Sequence, residues 1–316
     1  NNNINNNDNN DIKSIKKQVS TIILMGDSVL DNFYWLKNQK LDVRQQLLNL
    51  YNNKIKVYNF AVDESTSIDV IKGKYPGSYA DARDDYGLDP YPINKNGLVK
   101  PLNILSNMIN SKDLDNNINK KYIKPTVLLS VGGNDVRELL GELFFADDKQ
   151  ATIQNGLNNL SKNLTTIIEK ITQTFKLNII VVMCYEPYCD FASSYGITRD
   201  MLVNIMIAGF DVLLKHGIKY GLPIIDLSRT FDPWIREHYG STNIEPSNLS
   251  GQFIADLTEF VMNDFDFDNN TKSMVYYGIK NENKGIIKYE NNQDGFKSYK
   301  NFMKNRKKTD KTQSNM

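Results

Sequence analysis

The residues best placed to do chemistry end the stretch Thr21-Ile22-Ile23-Leu24-Met25-Gly26-Asp27-Ser28, an apolar run closed by a glycine, an acid and a serine. A continuous run of β-branched and aliphatic residues, bounded by a turn signal, suits a central parallel strand covered on both faces. Gly26 supplies the bend. A serine just past the carboxyl end of such a strand stands where open α/β sheets bind ligands, so Ser28 is a candidate nucleophile. The competing reading is that Asp27 and Ser28 merely cap the next helix. Two further apolar runs end in polar loops: residues 54–62 lead into Asp63-Glu64-Ser65-Thr66, and residues 125–131 into Gly132-Gly133-Asn134-Asp135.

These loops need a scaffold, and the pattern of the chain supplies one. Residues 177–184 and Leu222-Pro223-Ile224-Ile225-Asp226-Leu227 read as a fourth and a fifth strand. Ile153, Leu157, Leu160, Leu164, Ile167, Ile171 and Phe175 recur every three or four positions, the signature of an amphipathic helix. A helix capped by Thr198 and a closing helix over residues 246–262 follow. Five strands alternating with helices call for a doubly wound, three-layer α/β/α sandwich on a central five-stranded parallel sheet.

The expected organisation is an Asn-rich, disordered lead-in over residues 1–17, one domain over 18–264, and a polar extension over 265–316. The extension reads as a hairpin, then a disordered tail solvated from about Lys297. A Gly-, Pro- and Asp-rich insertion over residues 71–124 interrupts the domain and is long enough to be functional or flexible.

Bulk properties narrow the function classes. With 316 residues, 40% of them hydrophobic, the chain can bury a sizeable core. A formal net charge of +1 gives no reason to expect a nucleic-acid partner. No apolar run approaches the roughly 20 residues of a membrane span, and the start lacks a signal peptide's apolar core. A soluble protein is expected, with the cytoplasm slightly favoured; the first residue is Asn1, so an upstream targeting segment stays open. Cys184 and Cys189 have neither metal-ligand nor redox spacing and read as thiols. No metal site, phosphate-binding glycine loop or organic cofactor motif stands out. Asp264-Phe265-Asp266-Phe267-Asp268 imitates the start of a calcium loop, but Asn269 replaces the turn glycine.

Taken together, Gly26-Asp27-Ser28, the Asn59 to Thr66 block and Gly133-Asn134-Asp135 resemble the first three sequence blocks of the SGNH, or GDSL-type, hydrolases, in order and each after a strand. The resemblance covers about residues 21–262. It implies ester hydrolysis through an acyl-enzyme on Ser28, with no cofactor. The oxyanion would be held by the Ser28 backbone N–H, a backbone N–H of the second loop and the Asn134 amide. The implied partner is a small ester, such as an acylated carbohydrate or lipid; oligomeric state is not indicated.

Two positions depart from the family pattern. Glu64 stands where a glycine usually supplies the oxyanion N–H, and a left-handed backbone there would be strained. The last block, where the family carries Asp-x-x-His, reads Thr242-Asn243-Ile244-Glu245-Pro246-Ser247, so Glu245 replaces the histidine. Of the chain's 2 histidines, His216 ends a helix and reads as a surface residue, while His238 lies on the loop after the fifth strand. His238 is either a relocated base or an exposed loop histidine. Glu245 is its rival, because burial raises a carboxylate toward neutral pKa. The alternative to an enzyme is a binding protein that keeps the fold and the pocket but has lost the catalytic histidine.

Overall fold

Among the described residues seven strands form one sheet: β1 (Thr21–Gly26), β2 (Lys56–Asn59), β3 (Thr126–Ser130), β4 (Asn178–Met183), β5 (Pro223–Asp226), β6 (Met274–Gly278) and β7 (Ile286–Glu290). The helices are α1 (Val43–Leu50), α2 (Ser67–Lys72), α3 (Tyr79–Asp85), α4 (Pro101–Asn110), α5 (Gly133–Leu143), α6 (Lys149–Glu169), α7 (Phe191–Ser194), α8 (Arg199–Tyr220), α9 (Asn248–Asp264) and α10 (Gln293–Asn305). The structure is a computed structural model that describes residues 18–114, 123–188, 191–194, 196–282 and 284–306. The Asn-rich lead-in, the tail after residue 306 and Cys189 lie outside the described residues.

The strand order is β2-β1-β3-β4-β5-β6-β7, parallel throughout except for β7. β1, β3 and β4 are buried almost end to end, as their continuous aliphatic runs require. The chain starts in the middle of the sheet and goes to β2 on one side, then to β3 on the other. The order therefore reverses between β1 and β3, and a crevice opens beyond their carboxyl ends.

The sheet has seven strands, not the expected five. The segment read as a separate hairpin does form one, but β6 also pairs parallel with β5, through Pro223↔Met274 to Ile225↔Tyr276. The solvated end expected from Lys297 is likewise corrected. Residues 293–305 form α10, with Tyr299 and Met303 buried against α8. Phe296, Tyr299 and Met303 follow three and four residues apart among lysines, a helical stripe that the charged composition concealed.

α8 is the one described helix long and apolar enough by length and composition to cross a membrane, with a mean hydropathy of 1.5 over its most apolar stretch. Its surroundings account for that composition: it packs on α5, α6, α10, β4 and β5, with 61% of that stretch buried. A helix covered on several sides has little need of a polar face.

The insertion is fastened to the core beside the serine loop. Arg83 of α3 is buried and ion-pairs with Asp31, which also accepts from Tyr91 Oη and, at 3.1 Å, from Asn59 Nδ2. The guanidinium lies over the Tyr91 ring at 4.0 Å and the Phe33 ring at 5.0 Å. A buried charge is tolerated only when paired and hydrogen-bonded, and Asp31 and Arg83 meet that condition for each other.

Candidate active site

Gly26 turns the chain out of β1 with φ at 130°, and a Cβ there would sit 1.7 Å from the Ser130 carbonyl oxygen. Only glycine fits that approach. Asp27 Oδ1 then accepts from Val29 N at 3.1 Å and Ser130 Oγ at 2.7 Å, which locks the turn onto β3. Burial pushes the Asp27 carboxyl up to about 7, against the downward pull of the Ser130 and Val29 hydrogen bonds. Ser28, held between these residues, is 9% exposed and faces a pocket.

The third block begins α5. Gly132 has φ at 103°, and a Cβ on Gly133 would come 2.7 Å from Cys184 Sγ at the end of β4. Asn134 sits in the first turn of α5 and donates through Nδ2 to Ser65 O at 3.1 Å. Its neighbour Asp135 accepts from Ser67 N at 2.9 Å and Ser67 Oγ at 2.5 Å, so the second and third blocks are stitched together at the N-terminus of α2. Ser28, Asp27, Gly133 and Asn134 line one pocket with Arg137, Cys184 and Tyr185, at the point where the strand order reverses. The rest of its wall is apolar and comes from Val29, Pro187, Phe191 of α7, α5, α8 and the last block. Cys184 is buried, and desolvation followed by the Asp27 charge raises its thiol well above the usual range, so it is no thiolate nucleophile.

Glu64 has φ at 60°, a left-handed backbone that is strained for a residue other than glycine. Its backbone N–H is already used, donating to Asp63 Oδ1 at 2.7 Å, and the following Ser65 N–H donates to Val62 O at 3.1 Å. The expected second-loop oxyanion donor is therefore engaged inside its own loop. The Glu64 carboxylate points toward Arg137, 3.6 Å away on α5. Asp63 also accepts from Trp35 Nε1 at 3.0 Å, and burial, then the Asp31 charge, pushes it up to about 6.

Glu245 is 6% exposed. Thr242 Oγ1 donates to Glu245 Oε2 and accepts from the backbone N–H groups of Ile244 at 3.2 Å and Glu245 at 3.3 Å. A threonine hydroxyl thus orients a carboxylate where the family pattern has an aspartate orienting a histidine. Burial pushes Glu245 up to about 7; the Asp63 and Glu64 charges add to the shift, and Arg137 opposes it. Ile244, next in the chain, lines the pocket, and its carbonyl accepts from Tyr185 Oη at 2.6 Å. Asn32 joins the first and last blocks, donating through Nδ2 to Pro246 O at 3.1 Å.

The two histidines lie elsewhere. His238 is buried, not exposed, with its ring against Phe231 and Phe253, and like Glu245 it is absent from the pocket wall. The Asp232 backbone N–H donates to its Nδ1 at 2.8 Å, which leaves the ring proton on Nε2. His216 is also buried, correcting the surface reading: Nδ1 donates to Val212 O at 2.8 Å, and Nε2 lies 3.1 Å from Thr165 Oγ1.

Sequence reasoning missed Arg137, Cys184 and Tyr185. Arg137 lies three residues after Asn134, one helical turn along, so spacing on α5 was the available signal. Cys184 and Tyr185 follow β4 as Ser28 follows β1, but carry no motif.

No family model matches the sequence, and no curated protein matches it. Solved structures do. The lipase Lip_vut3 from a goat rumen metagenome is 12% identical, with 78% of this chain and 98% of that one covered and a TM-score of 0.50. A member of the lipolytic G-D-S-L family from Veillonella parvula is 13% identical over 78% of this chain and 100% of that one, TM-score 0.47. A lipolytic G-D-S-L family protein from Desulfitobacterium hafniense is 13% identical over 77% and 99%, TM-score 0.46. At such identity the likeness concerns the fold, and with the strand order and the three loops on one rim it gives this chain the fold of the SGNH, or GDSL-type, hydrolases.

Proposed function

We propose that the chain is a serine ester hydrolase in which Ser28 is the nucleophile, Asn134 an oxyanion donor and Glu245 the general base. The observation that carries this reading is a single pocket that joins Ser28 and Asn134, with a buried carboxylate, held by Thr242, on the residue after pocket-lining Ile244. Ser28 Oγ attacks the ester carbonyl and its proton passes to the Glu245 carboxylate. The oxyanion is stabilised by the Ser28 N–H and the second Nδ2 hydrogen of Asn134, the first being engaged with Ser65. Collapse expels the alcohol, which takes the proton back from Glu245. Water then attacks the acyl-enzyme, Glu245 accepts its proton, and Ser28 is restored. Two strong donors where the family pattern has three imply a slower enzyme, since one such donor is worth about 10²–10³ in turnover.

His238 has no part in this mechanism, because an Nε2 that carries its proton cannot accept one from Ser28. Arg137 holds Glu64 away from the oxyanion and lowers the charge repulsion on ionised Glu245.

Two observations favour a second reading, a binding protein on the same fold: the Glu64 N–H is tied to Asp63, and no histidine reaches the pocket. Hydrolysis of a short p-nitrophenyl ester by the wild type and by Ser28→Ala separates the two. The enzymatic reading expects turnover that Ser28→Ala abolishes. Identical traces from both proteins would leave only the binding protein.

A further inference from the structure

The pocket beside Ser28 is closed on the side away from the polar rim by side chains with no polar group. Val136 and Leu140 stand one turn apart on α5; Leu202, Met206 and Phe210 stand at four-residue intervals on α8; Ile244 closes the end from the last block. All but Ile244 are buried, and together with Ser28, Asn134, Arg137 and Tyr185 they bound a pocket of about 80 Å³. Pure packing would have filled it, since interiors are close-packed and empty space next to buried aliphatic groups costs stability. An apolar cavity of roughly 150 Å³ accepts a six-carbon ring such as benzene, so about 80 Å³ takes about three carbons.

We propose that this cavity is an acyl-binding site for a short unbranched chain, of butyryl size, and that it makes the protein a short-chain ester hydrolase and not a deacetylase or a long-chain lipase. The inference rests on the reading of Ser28 as nucleophile. The direction of the substrate follows from the chemistry. The alcohol must leave and water must enter on the side of the base, where Glu245, Asp63, Glu64 and Arg137 gather. The chain that stays covalently attached to Ser28 needs no exit, so it takes the closed apolar side. Each methylene buried there gives roughly a fourfold gain in kcat/KM, so butyryl exceeds acetyl by about 15-fold. Beyond about five carbons the chain must push α5 and α8 apart, and the gain reverses.

The test measures kcat/KM for p-nitrophenyl acetate, butyrate, hexanoate and octanoate, and for butyrate esters of alcohols of increasing length. A maximum at butyrate, about 15-fold above acetate, with octanoate at least tenfold below the maximum, supports the assignment. Leu140→Ala on α5 moves the maximum to hexanoate; Met206→Phe on α8 moves it to acetate. The two variants change volume in opposite directions on different helices, so loss of folding in one leaves the other to report. Ser28-dependent hydrolysis that is flat with acyl length, or that follows the alcohol, overturns the acyl-site assignment and leaves the hydrolase reading standing. Absence of Ser28-dependent turnover with every ester overturns both.

Discussion

Glu245→Gln separates a base from a structural residue, because it moves activity and stability in opposite directions. The carboxyl is raised from 4.5 to about 7 in the folded chain, first by burial and then by the charge of Asp63. Between these values the native state holds a proton that the unfolded chain has lost, so stability falls as pH rises from 4.5 and levels off above about 7. The shift of about 2.5 units corresponds to about 3 kcal/mol at 1.36 kcal/mol per unit. Glutamine fills the same space, keeps an oxygen for the Thr242 hydroxyl and cannot ionise. Urea unfolding of both proteins at pH 5 and pH 8.5 should show little difference at the lower pH and a glutamine variant more stable by about 3 kcal/mol at the higher one. The same variant should lose about 10²–10⁴ in turnover, and the wild-type rate should rise with pH through about 7. Asp27, Asp42 and Asp63 are also raised by burial, but they are common to both proteins and drop out of the comparison. A stability difference unchanged with pH would mean that Glu245 ionises in its ordinary range. A loss of only a few-fold in rate would remove it from the mechanism.

Other perturbations probe separate parts of the account. Gly26→Ala puts a Cβ 1.7 Å from the Ser130 carbonyl and should cost more than about 3 kcal/mol, read as a collapse in melting temperature or in soluble yield. Glu64→Gly relieves a left-handed residue at φ 60° and removes only a half-exposed ion pair, so it should stabilise by about 1 kcal/mol in denaturant unfolding. Arg229→Ala strips the partner from Asp226, which is fully buried and 3.1 Å from the guanidinium, and should cost about 3–5 kcal/mol. Tyr277, Tyr289 and Tyr299 surround that guanidinium at 4.8–5.1 Å, so truncation before α10 should lower the melting temperature as well.

The three rim loops were legible because each follows an uninterrupted aliphatic run, and such a run means a buried parallel strand wherever it occurs. Ser28 and Asn134 could therefore be placed on one edge of a sheet from local sequence alone. β6 could not be assigned to the sheet in the same way: its hairpin with β7 is encoded by the adjacent turn, but its pairing with β5 spans some 50 residues and leaves no local mark. The histidines were misread because a single histidine has no periodicity, and what buries His238 is Phe231 on one side and Phe253 on the other. Glu64 was recognised as a departure, yet the loss of its N–H to Asp63 depends on one side-chain conformation, which composition and spacing do not specify. Thr242 and Glu245 lay in plain view as two departures from the family pattern three residues apart; that the threonine hydroxyl donates to the glutamate carboxylate is visible only in the structure.

The claim that Ser28 is an activated nucleophile is tested most directly by incubating the protein with a fluorophosphonate serine probe from pH 6 to pH 9 and mapping the labelled peptide. The account predicts a single adduct on Ser28, absent from Ser28→Ala, whose rate of formation rises through about pH 7 as Glu245 ionises. An unlabelled Ser28 across that range, in a protein shown by its melting curve to be folded, would contradict it.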